Sequence, residues 1–124
     1  MRFSRSGRPV DRDEHLAWLR ERLADPFSHL WIGEAAQRPV GQVRVDWQED
    51  AWLVSIAVAP AARGRGLAGR LLRRLQEEMS SGGGTGVLRA EVHPGNTASL
   101  SVFESVGFVA AGRSADLVSY RWEW

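Results

Sequence analysis

The stretch Val58-Ala59-Pro60-Ala61-Ala62-Arg63-Gly64-Arg65-Gly66-Leu67-Ala68-Gly69 sets three glycines and two arginines between an apolar run and a segment with helical spacing. A helix start exposes unpaired N–H groups at the positive end of its macrodipole, and so attracts anions. Gly64 and Gly66 let a backbone come close, and Ala68 keeps the first helical turn small, so a pyrophosphate fits here. The same glycines serve a plain strand-to-helix turn that needs positive φ, and the letters alone leave both readings open. Gly64-x-Gly66-x-x-Gly69 is GxGxxG by letter, but a dinucleotide fingerprint also requires a second βαβ unit and an acid about 20 residues on. Position 86 is a glycine within a glycine run, and antiparallel strands precede the turn. A Walker loop is excluded because GK[ST] is absent.

Other elements must hold that turn in place. Val10-Asp11-Arg12-Asp13-Glu14 has the form of a helix entry, with Asp11 as N-cap and Glu14 completing a capping box. His15, Leu16, Trp18, Leu19 and Leu23 recur at helical spacing, so a helix is expected over about 12–24, ended by Asp25-Pro26. His29–Ala35 is aromatic and β-branched enough for a strand, and Gln37-Arg38-Pro39 is turn-like. Over Val40–Trp47, Val43 and Val45 alternate with Gln42, Arg44 and Asp46, which completes a hairpin with one wet face. Trp52–Ala59 is more continuously apolar, as expected of a central strand covered on both faces.

Leu67, Leu71, Leu75 and Met79 step by four with Ala68 and Leu72 beside them, the pattern of an amphipathic helix packed on a sheet. On its polar side, Arg73 with Glu77 and Arg74 with Glu78 are i,i+4 pairs that imply a solvated face. Gly82–Gly86 is a flexible connector and Val87–His93 returns as a strand, so 52–93 reads as a βαβ crossover with parallel strands. Residues 97–106 form a short helix closed by Gly107 in a Schellman arrangement that brings Phe108 to Phe103. Terminal strands are expected near 108–113 and 117–123.

Composition bounds the function. The 124 residues, 44% hydrophobic, allow one compact core and are too few for two ordinary domains, so 1–124 is read as a single domain. Lys+Arg 16 against Asp+Glu 15 gives a net charge of +1, so no global field points to nucleic acid or an anionic membrane. All 16 basic residues are Arg, which makes any one arginine weak evidence by itself. With no cysteine there is no disulfide framework, thiol nucleophile or Cys-ligated metal. No apolar run approaches the roughly 20 residues of a membrane span, and MRFSRSGRPV lacks the apolar core of a secretory signal, so the chain reads as soluble and cytoplasmic.

Arg63-x-x-Gly66-x-Ala68, after Ile56-Ala57-Val58-Ala59-Pro60, resembles the acetyl-CoA signature of the Gcn5-related N-acetyltransferases, Q/R-x-x-G-x-G/A following an apolar-Ala-Val-x-Pro strand end. Asn96-x-x-Ser99-x-x-Val102-Phe103-Glu104-x-x-Gly107-Phe108 is similar to the family's closing segment, and the likeness covers about residues 28–124. It implies an α/β (α+β) fold: a mixed, mostly antiparallel sheet with a central βαβ crossover, helices on both faces, and the first strand missing. It also implies acetyl-CoA as co-substrate, with no metal. The coenzyme would lie in the splay between strands 52–59 and 87–93, its pantetheine arm on backbone at Ile56, Ala57 and Val58. Its pyrophosphate would rest on Arg63, Gly64, Arg65, Gly66, Leu67, Ala68 and Gly69, with Asn96 also turned toward it. Asn96 serves equally as an N-cap for the helix at 97–106.

Phe103 stands where many family members carry a proton-donating Tyr, so it is expected to contact the coenzyme without acting as an acid. Tyr120, the single tyrosine, is read as structural. Glu91 takes the place where some relatives set a catalytic carboxylate, and burial there would suit it to act as base; the alternative is a strand carboxylate that orders water. His93 at the strand end is a candidate for proton transfer, or packs in a turn.

The acceptor implied is a primary amine on a small molecule. Glu14-His15-x-x-Trp18, followed by the hairpin, resembles acetyltransferases that modify 4-amino sugars on UDP, although His15 and Trp18 serve equally as the inner face of a helix. The alternatives are acetylation of a protein or peptide amine, and a CoA-binding or regulatory module without turnover. The chain begins where the family's first strand and helix should end, so that strand is expected to be absent or supplied by a second subunit in a homodimer.

Overall fold

The computed structural model describes residues 16–64 and 66–124. Its strands are β1 (Leu16–Glu21), β2 (Ser28–Ala35), β3 (Arg38–Gln48), β4 (Ala51–Val58), β5 (Val87–Val92), β6 (Val109–Arg113) and β7 (Val118–Glu123). Helix α1 (Leu67–Ser80) links β4 to β5, and α2 (Thr97–Ser105) links β5 to β6. The seven strands form one sheet in the order β1-β2-β3-β4-β5-β7-β6, antiparallel throughout except for the β4–β5 pair.

Leu16–Glu21 is a strand, which corrects the helix expected over 12–24; the supposed cap at Asp11 and Glu14 lies outside the described residues. Leu16 and Trp18 satisfy a period of two as well as a helical one, and the sheet settles the choice. All six residues pair with β2, from Leu16 opposite Ala35 to Glu21 opposite Leu30. The return turn is fixed by Asp25, whose carboxylate accepts from the Phe27 amide at 2.8 Å. Trp18 then stacks on Trp31 with ring centroids 5.6 Å apart and donates its indole N–H to Glu78 at 3.1 Å. The edge beside β2, where a strand was expected to be absent or supplied by a second subunit, is occupied by this chain's own Leu16–Glu21.

Strand parity divides the sheet into two unlike faces. Trp31, Val43, Val45, Val54, Leu88, Ala90, Val92, Val118 and Tyr120 point to one side and are buried beneath both helices. Leu71, Leu72 and Leu75 of α1 join this core with Phe103 of α2, and Gln76 fastens the helices together by donating to the Val106 carbonyl at 2.8 Å. The expectation of helices on both faces is thus not met among the described residues, since both helices share one face. β4 is likewise covered on one side: Val54 is buried whereas Ser55 and Ala57 are exposed. The polar side of α1 also differs in detail. Arg74 pairs with Glu77 at 3.2 Å and lies over the Trp18 ring, leaving Glu78 to the indole.

The end of α2 matches the expected Schellman geometry. Gly107 has φ 97°, its N–H reaches the Glu104 carbonyl at 3.1 Å, and the Phe108 N–H reaches that of Phe103 at 3.1 Å. Phe108 then meets Phe103 edge to face at 5.1 Å.

At the β1–β2 end of the sheet, His29 accepts at Nδ1 from Arg20 at 2.7 Å and sits between Trp31 and Trp52. Burial, then the Arg20 charge, holds its imidazole below the ordinary value. The unfolded chain takes up this proton near pH 6.5 while the folded chain resists it, so stability falls as pH drops from 6.5 toward the lowered value. Melts between about pH 7.5 and 5.5 should show a loss of Tm that shrinks in His29→Gln, and identical pH slopes for the two proteins would exclude this residue as the cause.

Candidate functional site

The site grows from the way β4 and β5 part. Their pairing is confined to Trp52 opposite Leu88 and Leu53 opposite Arg89. Beyond that point β4 runs on to Val58 with no partner from β5, and the chain turns through a short 3₁₀ segment, Pro60–Ala62, into α1. Gly64 has φ 80° and Gly66 has φ 71°, a left-handed region in which a side chain is strained. A Cβ built at either glycine would meet no atom within 4 Å. Gly66 caps α1, and as a glycine it offers no side chain to the first N–H groups of the helix.

A cleft of about 340 Å³ lies against this turn. It brings together the expected residues Ile56, Val58, Arg63, Gly64, Gly66, Leu67, Ala68, Gly69 and Phe103. Of the other three expected coenzyme residues, two stand apart and one is not described. Ala57 points to the opposite, open face of the sheet; Asn96 is outside the lining; Arg65 lies outside the described residues. Asn96 is the N-cap of α2, accepting from the Ser99 amide at 3.1 Å. Arg63 folds back so that its Nε donates to the Val58 carbonyl at 3.3 Å, which leaves that oxygen one lone pair for another donor.

Ala62, Ala98, Ser99 and Val102 also line the cleft and were not singled out from sequence as site residues. The signal was available for three of them: 98, 99, 102 and 103 recur at one-helix-face spacing, on the side of α2 that carries Phe103. Ser99 contributes the only side-chain hydroxyl in the lining.

The acid and base candidates lie elsewhere. Phe103 is buried at the back of the cleft, stacked on Tyr120 with centroids 6.1 Å apart. Tyr120 is itself buried and donates to Glu104 Oε2 at 2.6 Å, and that bond, more than its burial, raises the phenol above its usual value. A proton held this way is not offered to the cleft. His93 accepts at Nδ1 from the Gly95 amide at 3.2 Å, a turn-forming role. Glu91 lies on the open face one step beyond the parting of the strands; it is exposed, so the burial expected for it is not found. Among the described residues no three His, Cys, Asp or Glu side chains are grouped to hold a metal, and no helix is long and apolar enough to cross a membrane.

A larger hollow, about 550 Å³, lies at the opposite end of the sheet between Arg20 and His29. It has neither a helix start nor an open left-handed glycine, and so lacks the features that suit a coenzyme.

Comparison with known proteins places the fold and the family. At 26% identity over 108 residues, the chain is similar to the L-2,4-diaminobutyric acid acetyltransferase of Nocardia farcinica (strain IFM 10152), covering 85% of this chain and 55% of that protein. The chain thus spans about half the length of the curated relative it matches. The fold is shared with the GNAT domain of S. lividans PAT, at TM-score 0.73 and 20% identity, covering 83% of this chain and 64% of that one. It is shared also with Salmonella typhimurium yncA in a structure with its cofactor acetyl-CoA, at TM-score 0.66 and 26% identity, covering 77% of this chain and 64% of that one. The sequence model of the Acetyltransferase (GNAT) family matches residues 2–108, so with most of its length accounted for the chain belongs to that family.

Proposed function

We propose that this chain transfers the acetyl group of acetyl-CoA to a primary amine of a small molecule. One observation carries the reading: two open left-handed glycines, a helix start and a parted strand border the same cleft. Bound acetyl-CoA supplies a thioester carbonyl that an amine can attack. The N–H groups from Gly64 to Gly69 receive its pyrophosphate, aided by the dipole of α1. Backbone of β4 around Ile56 and Val58, beyond its pairing with β5, holds the pantetheine arm and directs donors at the carbonyl oxygen as negative charge develops. Fixing the amine in line with that carbonyl is the larger part of the work, because it replaces an encounter in solution with a held geometry.

Glu91, the first open-face residue of β5 past the parting, takes the amine's proton directly or through a water. The departing thiolate is only weakly basic, which fits a cleft where Phe103 replaces a donor and Tyr120 is committed to Glu104. The similarity to a diaminobutyrate acetyltransferase supports a small diamine as acceptor. Amino-sugar nucleotides are the second class to assay, on the strength of Glu14-His15-x-x-Trp18.

The test is calorimetric titration with acetyl-CoA followed by CoA release across an amine panel. Glu91→Gln is expected to lower kcat about a hundredfold and shift the pH profile upward, with acetyl-CoA affinity retained. A pH profile unchanged in that variant would remove Glu91 as base. Coenzyme binding with no acetylation of any amine would make the chain a CoA-binding module instead.

A further inference from the structure

Arg89 is the last residue of β5 paired with β4 before the strands part, so it stands at the vertex of the splay on the open face. Its neighbours across the sheet are Leu53 on β4 and Arg121 on β7. Two arginines set directly opposite each other repel, an arrangement that weakens a strand pair. Arg89 Nε is also buried with no hydrogen-bond partner, and no other buried side-chain atom among the described residues is left in that state.

The surrounding charges are already committed. Arg121 Nε pairs with Glu123 at 2.6 Å, and Arg44 Nε reaches both carboxylate oxygens of Asp46 at 3.1 Å. Glu91, two residues beyond Arg89 on the same face, belongs to none of the ion pairs among the described residues. The open face therefore presents one uncommitted cation at the vertex and one uncommitted anion about 7 Å further along the strand. The pattern complements a molecule carrying a carboxylate at one end and an amine at the other.

We propose that Arg89 binds a carboxylate of the acceptor, so that the substrates are small amino acids with the reacting amine a few bonds from that carboxylate. This rests on the acetyltransferase reading above. The guanidinium edge that includes Nε matches a carboxylate with two parallel hydrogen bonds, and the incoming anion relieves the repulsion from Arg121. A polyamine without a carboxylate meets Arg89 and Arg121 with like charge.

The experiment uses matched pairs that differ only in the carboxylate: 2,4-diaminobutyrate with 1,3-diaminopropane, ornithine with putrescine, and lysine with cadaverine. For each, kcat/KM is measured, and in parallel binding to the CoA-loaded protein by calorimetry. The wild type is expected to favour the carboxylate member of at least one pair by at least about tenfold, mainly through KM. Arg89→Gln should bring that ratio near one, and Arg89→Lys should restore part of it. Acetylation without preference, or in favour of the decarboxylated members, overturns the role of Arg89 and leaves the acetyltransferase reading standing. Carboxylate binding that depends on Arg89 but yields no acetylation supports Arg89 and removes the activity. Absence of both binding and turnover for every carboxylate member overturns the proposal.

Discussion

Gly66→Glu is expected to weaken acetyl-CoA binding at least about a hundredfold, or about 2.7 kcal/mol. Gly66 has φ 71° and caps α1, and a Cβ there would have no atom within 4 Å. A side chain at this position therefore enters the open space where the coenzyme's anions are proposed to lie, rather than colliding with protein. Two effects follow and can be separated. A non-glycine residue in left-handed geometry costs about 1 kcal/mol of folding stability whether or not ligand is present. The carboxylate itself is welcome at a helix start, so folding suffers little from the charge, but it takes the seat of the pyrophosphate. Gly66→Ala should thus lose a little Tm and keep much of its affinity, whereas Gly66→Glu keeps a similar Tm and loses binding. Micromolar binding by Gly66→Glu, read by calorimetry, would place the coenzyme's anions somewhere other than this turn.

Leu71→Ala is expected to destabilise the fold by about 2–5 kcal/mol, the range for emptying a packed leucine site. Leu71 is 0% exposed, and its surroundings explain why the site cannot close over the gap. Gly33 and Gly41 sit opposite each other on β2 and β3 and leave a notch in the sheet. A Cβ at Gly33 would come within 2.5 Å of Leu71 Cδ2, and one at Gly41 within 2.7 Å of Cδ1, so the leucine's two methyls occupy the space the glycines leave. Collapse would require α1 to approach the sheet, which Leu72 and Leu75 on the same helix oppose. The pairing can be tested by a double-mutant cycle. Gly33→Ala alone should destabilise by about 1–3 kcal/mol through overpacking, yet cost much less in the Leu71→Ala background, where its methyl enters vacated space. Gly41→Ala should show no such relief, because its Cβ would also lie 2.8 Å from the Ala57 carbonyl oxygen, which does not move. Additive effects of Gly33→Ala and Leu71→Ala in denaturant melts would contradict this packing.

Most of the architecture was legible in the sequence because its signals are local. The leucine spacing from Leu67 through Leu75 marks α1, the alternation around Val43 and Val45 marks β3, and Gly107 before Phe108 marks the end of α2. The open left-handed turn was legible for the same reason, since positive φ at Gly64 and Gly66 is a property of those residues and their immediate neighbours.

Tertiary structure decided the rest. Leu16–Glu21 became a strand because six pairings with β2 and the stack of Trp18 on Trp31 outweigh a local pattern that suits helix nearly as well. Glu91 came to lie exposed on the open face, because that outcome depends on where other elements sit, whereas the cap at Asn96 is a local bond to Ser99 that the sequence already offered. Arg89 was invisible among sixteen arginines until the sheet set it opposite Arg121 at the point where two strands part. A residue's charge and backbone preference travel with its letter. Its burial, its partners and the face it occupies arise from contacts between segments distant in the chain, and those exist only once the sheet has assembled.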